Sequence, residues 1–379
     1  MEHFNVEEID EYGSILTLDT TILKQNLDYF KSLINPNTFI MAMVKAVAYG
    51  HGAIRIASEL EKYKAVNYLG VANIQKGIEL RKAGIELPIM VTNPVSGYFH
   101  KMCEYCLEPV LHNQDLAESF SDFISNSSEI DSNYPVHIKF NTGMNRFGFD
   151  LEGINSFLKL FRIANWKVKS VMSHLSCSDE ESEDEFTLKQ FETFKQIKLI
   201  LEKELPGDTI WHILNTNGVI RFPEFQYDMV RVGIGLYGAS EYLPAREFIK
   251  PVGTFKAQIA QIRHVKKGES ISYSRGGRAN ENKYIGILAV GYADGFPRSL
   301  GNGNWKVEFN GKLFPTIGNV CMDYTMIDLG IEKNTIALEE YVTIFGGIQS
   351  IFEYAKAQNT ICYEAMTDLG NRVQRILID

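Results

Sequence analysis

Short apolar runs alternate with amphipathic stretches over the first two thirds of the chain, from about residue 14 to residue 240. The apolar runs read as buried strands, and the stretches between them carry apolar residues at helical spacing. Strands are predicted at 14–18, 38–50, 68–72, 88–91, 136–139, 169–173 and 211–214, and helices at 21–34, 53–63, 74–83 and 186–201. Apolar strands that alternate with helices indicate a parallel sheet covered on its faces.

Roughly 230 residues of this α/β pattern favour closure into a (β/α)8 barrel. A doubly wound open sheet is the alternative fold. Open sheets of that kind usually carry a glycine-rich first turn, and no G-x-G-x-x-G follows the first predicted strand.

The pattern changes to period two after about residue 250. Residues 255–265 and 305–309 alternate apolar and polar positions, and the second run leads into Asn310-Gly311, a strong hairpin turn. Short strands are also predicted at 326–329 and 342–345. We therefore predict a barrel over residues 13–248 and a mostly β C-terminal domain over residues 249–379.

Composition narrows the class of protein. The chain has 379 residues, of which 45% are hydrophobic and 22% charged, as in ordinary globular proteins. Its net charge of −9 argues against a nucleic acid or a membrane surface as partner. No apolar run approaches the ~20 residues of a membrane span, and the acidic first residues do not read as a signal peptide, so a cytoplasmic protein is expected.

The five cysteines are scattered and indicate reduced thiols, not a disulfide framework. Cys103 and Cys106 form a C-x-x-C, but neither a second pair nor a pair of histidines follows at metal-binding spacing. No metal site is predicted.

Lys45 is the only charged residue in the apolar stretch 38–50. A lone ammonium in a buried run is unfavourable unless it is paired or chemically consumed. A desolvated lysine with a depressed pKa is the usual amine for imine formation with a carbonyl compound. Tyr49 follows four residues later, and then Gly50-His51-Gly52, where the glycines allow the backbone to approach a ligand.

Other polar residues follow predicted barrel strands, at the ends where barrel enzymes carry their active sites. They are Arg146, His174, Thr216 and Arg231, the last followed by Gly233 and Ile234. Taken singly, Arg146 reads as a surface ion-pair residue, His174 equally as a structural histidine, and Thr216 as part of a helix cap. Five candidate residues of the second domain, taken singly, read as packing or turn residues. They are Tyr273, Tyr292, Met322, Asp323 and Tyr363.

Together these segments resemble the alanine racemases, in the family's order and with its spacing, from about Leu16 to Arg375. The specific motifs are Val44-Lys45-Ala-Val-Ala-Tyr49-Gly-His51-Gly52 and Gly291-Tyr292-Ala-Asp-Gly. The resemblance implies a dimeric fold-type III pyridoxal-phosphate enzyme with an N-terminal barrel and a C-terminal β domain. It also implies that residues 1–12 join the β domain.

The resemblance further implies a role for each matching residue. Cofactor-binding residues would be Lys45, Tyr49, Arg146, His174, Thr216, Arg231, Gly233, Ile234 and Tyr363. Substrate-binding residues would be Arg146, Tyr273, Tyr292, Met322 and Asp323, and the catalytic set would be Lys45, Tyr273, His174 and Arg231. Lys45 would hold pyridoxal 5'-phosphate covalently, Arg231 would face its pyridine nitrogen, and Tyr273 would reach in from the partner subunit.

The expected reaction is the interconversion of L- and D-alanine, which supplies D-alanine for peptidoglycan. Racemisation removes the Cα proton from one face and returns one to the other, so two bases on opposite faces suffice: Lys45 and Tyr273 of the partner subunit. Alternatives within the fold are a racemase of serine, lysine or arginine and, with less support, an amino-acid decarboxylase. A decarboxylase would place a carboxylate at the pyridine nitrogen, where this chain has Arg231.

Three departures from the family pattern are visible. Val47 replaces a common Asn, Thr216 replaces Ser but keeps the hydroxyl, and the loop after Tyr273 lacks a second aromatic residue. These differences bear on substrate size more than on reaction type. Lys139 matches a lysine that is carbamylated in some members, and the sequence leaves its state open.

Overall fold

A computed structural model of the chain describes residues 13–128, 130–131, 133–164, 166–332 and 336–379. The expectation that residues 1–12 join the β domain therefore lies outside the described residues. The chain divides into two compact units. Of the described residues, those in 13–22, 49–51, 251–332 and 336–379 belong to the β-rich unit, and those in 23–48, 52–128, 130–131, 133–164 and 166–250 belong to the barrel unit.

The first strand, β1 (Ser14–Asp19), lies in the β-rich unit. The sequence pattern places this strand at the start of the barrel series, and that assignment is wrong. Residues 14–18 pair antiparallel with residues 253–257, and residues 15–19 pair parallel with residues 374–378. A short apolar run does not reveal which sheet it joins, because a buried strand looks the same in either sheet.

Eight parallel strands form the nearly closed barrel that the sequence predicts. They are β2 (Phe39–Met43), β3 (Tyr68–Val71), β4 (Ile89–Val91), β5 (Leu107–Leu111), β6 (Tyr134–Lys139), β7 (Trp166–Met172), β8 (Ile210–His212) and β9 (Met229–Val232). They pair in the order β8-β7-β6-β5-β4-β3-β2-β9. The gap between β8 and β9 is bridged by hydrogen bonds from Asp228 N to Trp211 O (3.0 Å) and from Arg231 N to Leu214 O (3.1 Å). The open-sheet alternative is wrong.

Helices alternate with these strands, as the helical periodicity predicts. They are α1 (Thr20–Ser32), α2 (Ala53–Lys62), α3 (Ile74–Lys82), α4 (Phe99–Glu104), α5 (Gln114–Ser125), α6 (Ile154–Phe161), α7 (Asp184–Leu201) and α8 (Thr216–Arg221). Asparagine side chains cap the N-termini of several of these helices. Asn73 accepts a hydrogen bond from Lys76 N at the start of α3, and Asn113 accepts one from Leu116 N at the start of α5.

The β-rich unit is built on a second eight-stranded sheet, in which β1 lies between β10 and β18. Its further strands are β10 (Gly253–Val265), β11 (Ser270–Ile271), β12 (Gly277–Arg278), β13 (Lys283–Leu288), β14 (Lys306–Phe309), β15 (Lys312–Pro315), β16 (Thr325–Gly330), β17 (Tyr341–Phe345) and β18 (Gln374–Ile378), with β11 and β12 forming a separate ribbon. Two short helices, α9 (Ile351–Ala357) and α10 (Cys362–Thr367), lie between β17 and β18.

The hairpin predicted at Asn310-Gly311 is present between β14 and β15. Both turn residues have positive φ, 48° and 76°, as a tight two-residue hairpin turn requires. In the described residues, no helix has the length and apolar character needed to cross a membrane. Over the same residues, histidine, cysteine and carboxylate side chains do not gather into a group of three or more that could hold a metal ion.

Candidate active site

The chain leaves strand β2 through a left-handed turn that begins next to Lys45. Residues 46–49 have φ between 50° and 57°, a region that residues other than glycine rarely adopt. Ala48 N donates to Val44 O (3.0 Å), and Gly52 N donates to Val47 O (2.8 Å). The strand predicted over 38–50 therefore ends at Met43. Lys45 lies just after the carboxyl end of this strand and not in its middle. Propensity alone does not reveal this turn, because Ala-Val-Ala favours neither a turn nor positive φ.

Lys45 and Lys139 lie in a cluster of positive charges at the carboxyl ends of the barrel strands. Burial lowers the pKa of Lys45, and the charges of Arg146 and Arg231 lower it further. Lys139 is the last residue of β6, and burial together with Arg146, Arg231 and Lys45 lowers its pKa to about 8. A lower pKa raises the fraction of neutral amine, which is the nucleophilic form of lysine.

Arg231 on β9 is fixed by four hydrogen bonds. One terminal nitrogen donates to Ser173 O (2.6 Å), to Ile213 O (2.9 Å) and to Nδ1 of His174 (3.1 Å). The other donates to Nδ1 of His212 (2.7 Å). Burial lowers the pKa of this guanidinium to about 9, which still leaves it positively charged at neutral pH.

His174 is a neutral imidazole with a defined tautomer. Burial lowers its pKa well below the usual value, and the charges of Arg231, Lys139, Lys45 and Arg146 add to that effect. Since Arg231 donates to Nδ1, the single ring hydrogen lies on Nε2. His174 can therefore donate a hydrogen bond from Nε2 to an oxygen in the site.

The loop that carries Arg146 is held by Asn141. The Asn141 side chain accepts hydrogen bonds from Gly143 N (3.1 Å) and Asn145 N (3.0 Å) and donates to the side chains of Asn145 and Asp150. Gly148 has a φ of 131°, and a Cβ there would lie 2.4 Å from Asn141 N. Glycine is therefore required at the end of this loop.

Gln190 on α7 is a buried residue that sequence reasoning missed. Its amide nitrogen donates to Thr142 Oγ1 (3.2 Å) and to His174 O (3.1 Å), and its amide oxygen accepts from Ser176 N (3.0 Å). The residue connects the His174 and Arg146 loops. The available signal was an uncharged polar side chain within the apolar pattern of a helix.

Thr216 lies at the first position of α8, next to the glycines that follow β9. Its hydroxyl oxygen accepts a hydrogen bond from Gly233 N (3.0 Å), which leaves the hydroxyl hydrogen available for another acceptor. Asn215 caps the helix by accepting from Gly218 N (2.9 Å). Ile234 begins the short 3-10 helix Ile234–Tyr237. This corner presents donors of the type that hold phosphate.

Tyr49 and Tyr363 lie in the β-rich unit, with ring centroids 6.1 Å apart. Burial raises the pKa of Tyr49, and the nearby Tyr363 raises it further. The Tyr49 phenol therefore stays protonated and can act as a hydrogen-bond donor.

The remaining predicted site residues of the β-rich unit lie towards solvent in the single chain. The Tyr273 side chain is 70% exposed, and those of Tyr292 and Met322 are also exposed. A cavity of about 870 Å³ opens beside Tyr273, with Ser272, Cys321 and Met326 in its lining. Tyr273 therefore presents its phenol away from the core of its own unit.

Asp323 is paired with a residue that sequence reasoning did not single out. Arg372 donates to the Asp323 carboxylate (2.7 Å) and to both oxygens of Asp294 (3.0 Å each). The Arg372–Asp294 pairing ties residue 372 to the Gly291-Tyr-Ala-Asp-Gly motif. The arginine could not be found from local pattern, because its two partners lie 78 and 49 residues earlier in the sequence.

The structure thus places Arg146 and Arg231 near enough for their charges to lower the pKa values of Lys45, Lys139 and His174. The residues of the β-rich unit form separate groups: Tyr49 with Tyr363, and Asp323 with Arg372.

Comparisons with known proteins show which family the chain matches. The family model of the alanine racemase N-terminal domain matches residues 18–241, and that of the C-terminal domain matches residues 252–377. The chain is 35% identical over 382 residues to an alanine racemase from Treponema denticola, covering 97% of this chain and 98% of that protein. It is 34% identical to a serine/alanine racemase from Enterococcus gallinarum, covering 93% of this chain and 50% of that longer protein.

The fold is likewise similar to solved structures. An alanine racemase from Bartonella henselae with covalently bound pyridoxal phosphate superposes with a TM-score of 0.84 and 26% sequence identity. That match covers 97% of this chain and 100% of the other.

Proposed function

The chain belongs to the alanine racemase family and is an amino-acid racemase, and on that premise we propose that it interconverts L- and D-alanine with pyridoxal 5'-phosphate as cofactor. The observation that carries the proposal is the Lys45 amine. It lies at the end of a barrel strand, its pKa is lowered, and it shares its charge cluster with Arg231 and His174.

The residues of the barrel unit fit this cofactor. Lys45 supplies an amine for its carbonyl, and Arg231 supplies a guanidinium for its pyridine nitrogen. Arg146 supplies a positive charge for its phenolic oxygen. The Thr216 hydroxyl, which accepts from Gly233 N, and the main-chain N–H of Ile234 supply donors for its phosphate. An anionic cofactor also relieves the repulsion among the clustered cations.

When bound, pyridoxal phosphate supplies a carbonyl for amines and a ring system that withdraws electrons from the substrate Cα. Lys45 Nζ is the proposed base on one face of the substrate, where its lowered pKa favours the neutral, proton-accepting form. Tyr273 of the partner subunit is the proposed base on the other face. His174 donates from Nε2 and stabilises that phenolic oxygen while it lacks its proton.

Arg231 distinguishes a racemase from a decarboxylase. Its guanidinium is charged and only donates at neutral pH, so it would not give a proton to the pyridine nitrogen of a bound cofactor. A cofactor held by Arg231 would withdraw electrons less strongly than one held by a carboxylate, which would disfavour decarboxylation and transamination.

The second copy of the chain is part of the proposed site. The side chains of Tyr273, Tyr292 and Met322 are each exposed in the single chain, so each is accessible to another subunit. On the partner, Tyr292, Met322 and Asp323 would line the substrate side of the site. The D-alanine formed would supply peptidoglycan synthesis in the cytoplasm.

The decisive experiment is incubation of purified protein and pyridoxal phosphate with L-alanine, followed by chiral separation of the enantiomers. We expect D-alanine from wild type and essentially none from Lys45→Ala, because the variant has no amine at this position. A Lys45→Ala protein that folds normally and keeps its turnover would refute the role of Lys45.

Substrate specificity is tested in the same assay. The similarity to a serine/alanine racemase favours serine as the second candidate substrate. We expect alanine to turn over faster than serine, lysine or arginine, and a higher kcat/KM on serine would replace alanine as the main substrate. Release of carbon dioxide from ornithine or lysine would favour the decarboxylase instead.

A further inference from the structure

A continuous series of polar side chains crosses the interior of the barrel. It comprises one residue from each of five successive strands: Arg231 on β9, His212 on β8, Ser170 on β7, His137 on β6 and Glu108 on β5. The four hydrogen bonds from Arg231 to Glu108 are 2.7, 2.9, 2.7 and 2.8 Å long. Arg231, His212, Ser170 and His137 are almost fully buried, and the Glu108 side chain is 13% exposed.

Arg231, the first member, fixes which group donates and which accepts along this series. A guanidinium only donates, so Nδ1 of His212 accepts from Arg231. Burial, together with the charge of Arg231, lowers the pKa of His212 well below its usual value, so the ring is neutral and its hydrogen lies on Nε2. His212 then donates to Ser170 Oγ, and the Ser170 hydroxyl donates to Nδ1 of His137.

The last member fixes the same direction independently. Nε2 of His137 faces Oε2 of Glu108, and an ionised carboxylate only accepts hydrogen bonds. Each of the four donors therefore has an acceptor, and none of these buried polar atoms lacks a partner. A fully satisfied series of this kind holds its members in one geometry, and each bond strengthens its neighbours.

The partners that touch Arg231 are electrically neutral: two main-chain carbonyls and two imidazole nitrogens. A carboxylate in direct contact would cancel the positive charge of the guanidinium. Glu108 lies four hydrogen bonds away, so it stabilises the buried cation through the polarised series while leaving the charge available at the site.

We propose that Glu108, His137 and Ser170 are positioning residues that act through His212 to hold the Arg231 guanidinium in one orientation toward the cofactor. This inference rests on the proposed role of Arg231 at the pyridine nitrogen. None of the three residues touches the substrate, and their effect is on where Arg231 points and how strongly it is held.

Ser170→Ala is the most direct test, because it interrupts the series at its centre. The matched control is Ser121→Ala, which removes a buried serine hydroxyl from helix α5, outside the series. In the holoenzyme we expect Ser170→Ala to lower kcat by about tenfold, as loss of a residue that orients a functional group commonly does, and to leave the KM for alanine within about twofold. The visible absorption spectrum of the bound cofactor should change and its dissociation constant should rise, while the control matches wild type.

Glu108→Gln provides a second variant with almost unchanged shape. Its amide oxygen can still accept from Nε2 of His137, but without the negative charge the bond is weaker, so the series is less polarised and holds Arg231 less firmly. We expect the same direction of change in kcat and in the absorption spectrum, with thermal stability close to that of wild type. If Ser170→Ala does not fold, Glu108→Gln decides the question.

Two failures can be told apart. Variants whose kcat, spectrum and cofactor affinity match Ser121→Ala would show that the series only fills the barrel interior, and the inference would be wrong while the proposed function stands. A wild-type protein that neither binds pyridoxal phosphate nor racemises alanine would overturn the proposed function and this inference with it.

Discussion

At the scale of single residues, Lys139 shows how the charge cluster affects stability. Its pKa is about 8 in the folded protein against 10.5 for the free side chain. Between these values the unfolded chain binds a proton that the folded chain does not, so stability rises as pH increases from about 8 to 10.5. Below pH 8 the destabilisation is fully present, up to about 3 kcal/mol.

We therefore expect Lys139→Met to raise the free energy of unfolding at pH 7 and to flatten its rise toward pH 10, measured by urea unfolding at both pH values. Lys195→Met on the exposed face of α7 is the control and should change neither quantity appreciably. A variant that is less stable than wild type at pH 7 would contradict the prediction.

At the scale of elements, the left-handed turn after β2 contains a β-branched residue. Val47 has a φ of 57°, which costs about 1–2 kcal/mol for a residue with a Cβ. Asparagine tolerates this conformation better than valine does. We expect Val47→Asn to stabilise the protein by about 1 kcal/mol, measured as the shift of the urea unfolding midpoint.

The control for this substitution is Val95→Asn. Val95 is exposed and has an extended backbone, with φ −122° and ψ 128°. The same chemical change there relieves no left-handed strain, so stability should stay level or fall slightly. Equal effects at the two positions would mean that the turn is not strained.

At the scale of the whole molecule, the proposed site needs two chains. If Lys45 comes from one subunit and Tyr273 from the other, two inactive homodimers should complement each other. Lys45→Ala and Tyr273→Phe proteins, mixed and allowed to exchange subunits, would form hybrids in which one of two sites is intact. At equal mixing we expect about one quarter of wild-type activity, because half of the dimers are hybrids with one working site each.

The controls are each variant incubated alone through the same exchange, together with size-exclusion chromatography to establish the oligomeric state. Activity that stays at the level of the separate variants would place Lys45 and Tyr273 in the same chain's site. Monomers as active per site as dimers would exclude a shared site.

Much of the fold was predictable because periodicity reports burial directly. Most of the barrel strands, several helices and the Asn310-Gly311 hairpin follow from spacing and turn chemistry. Strand β5 was not predicted, because Glu108 and Pro109 interrupt its apolar run. Glu108 could not be read as functional from its surroundings, since its partner His137 is 29 residues away in the sequence.

The sequence by itself determined the class of fold and the candidate functional side chains. These are a lone lysine in an apolar run and polar residues at strand ends. Only the tertiary structure decided that β1 joins the second sheet, that Lys45 leaves β2 through a left-handed turn, and that Gln190, Arg372 and Glu108 support functional residues. The physical reason is the sequence separation over which each kind of interaction acts. Burial and turn preferences act between neighbours in sequence, whereas strand pairing, hydrogen-bond partners and pKa shifts depend on residues that meet only after the chain has folded.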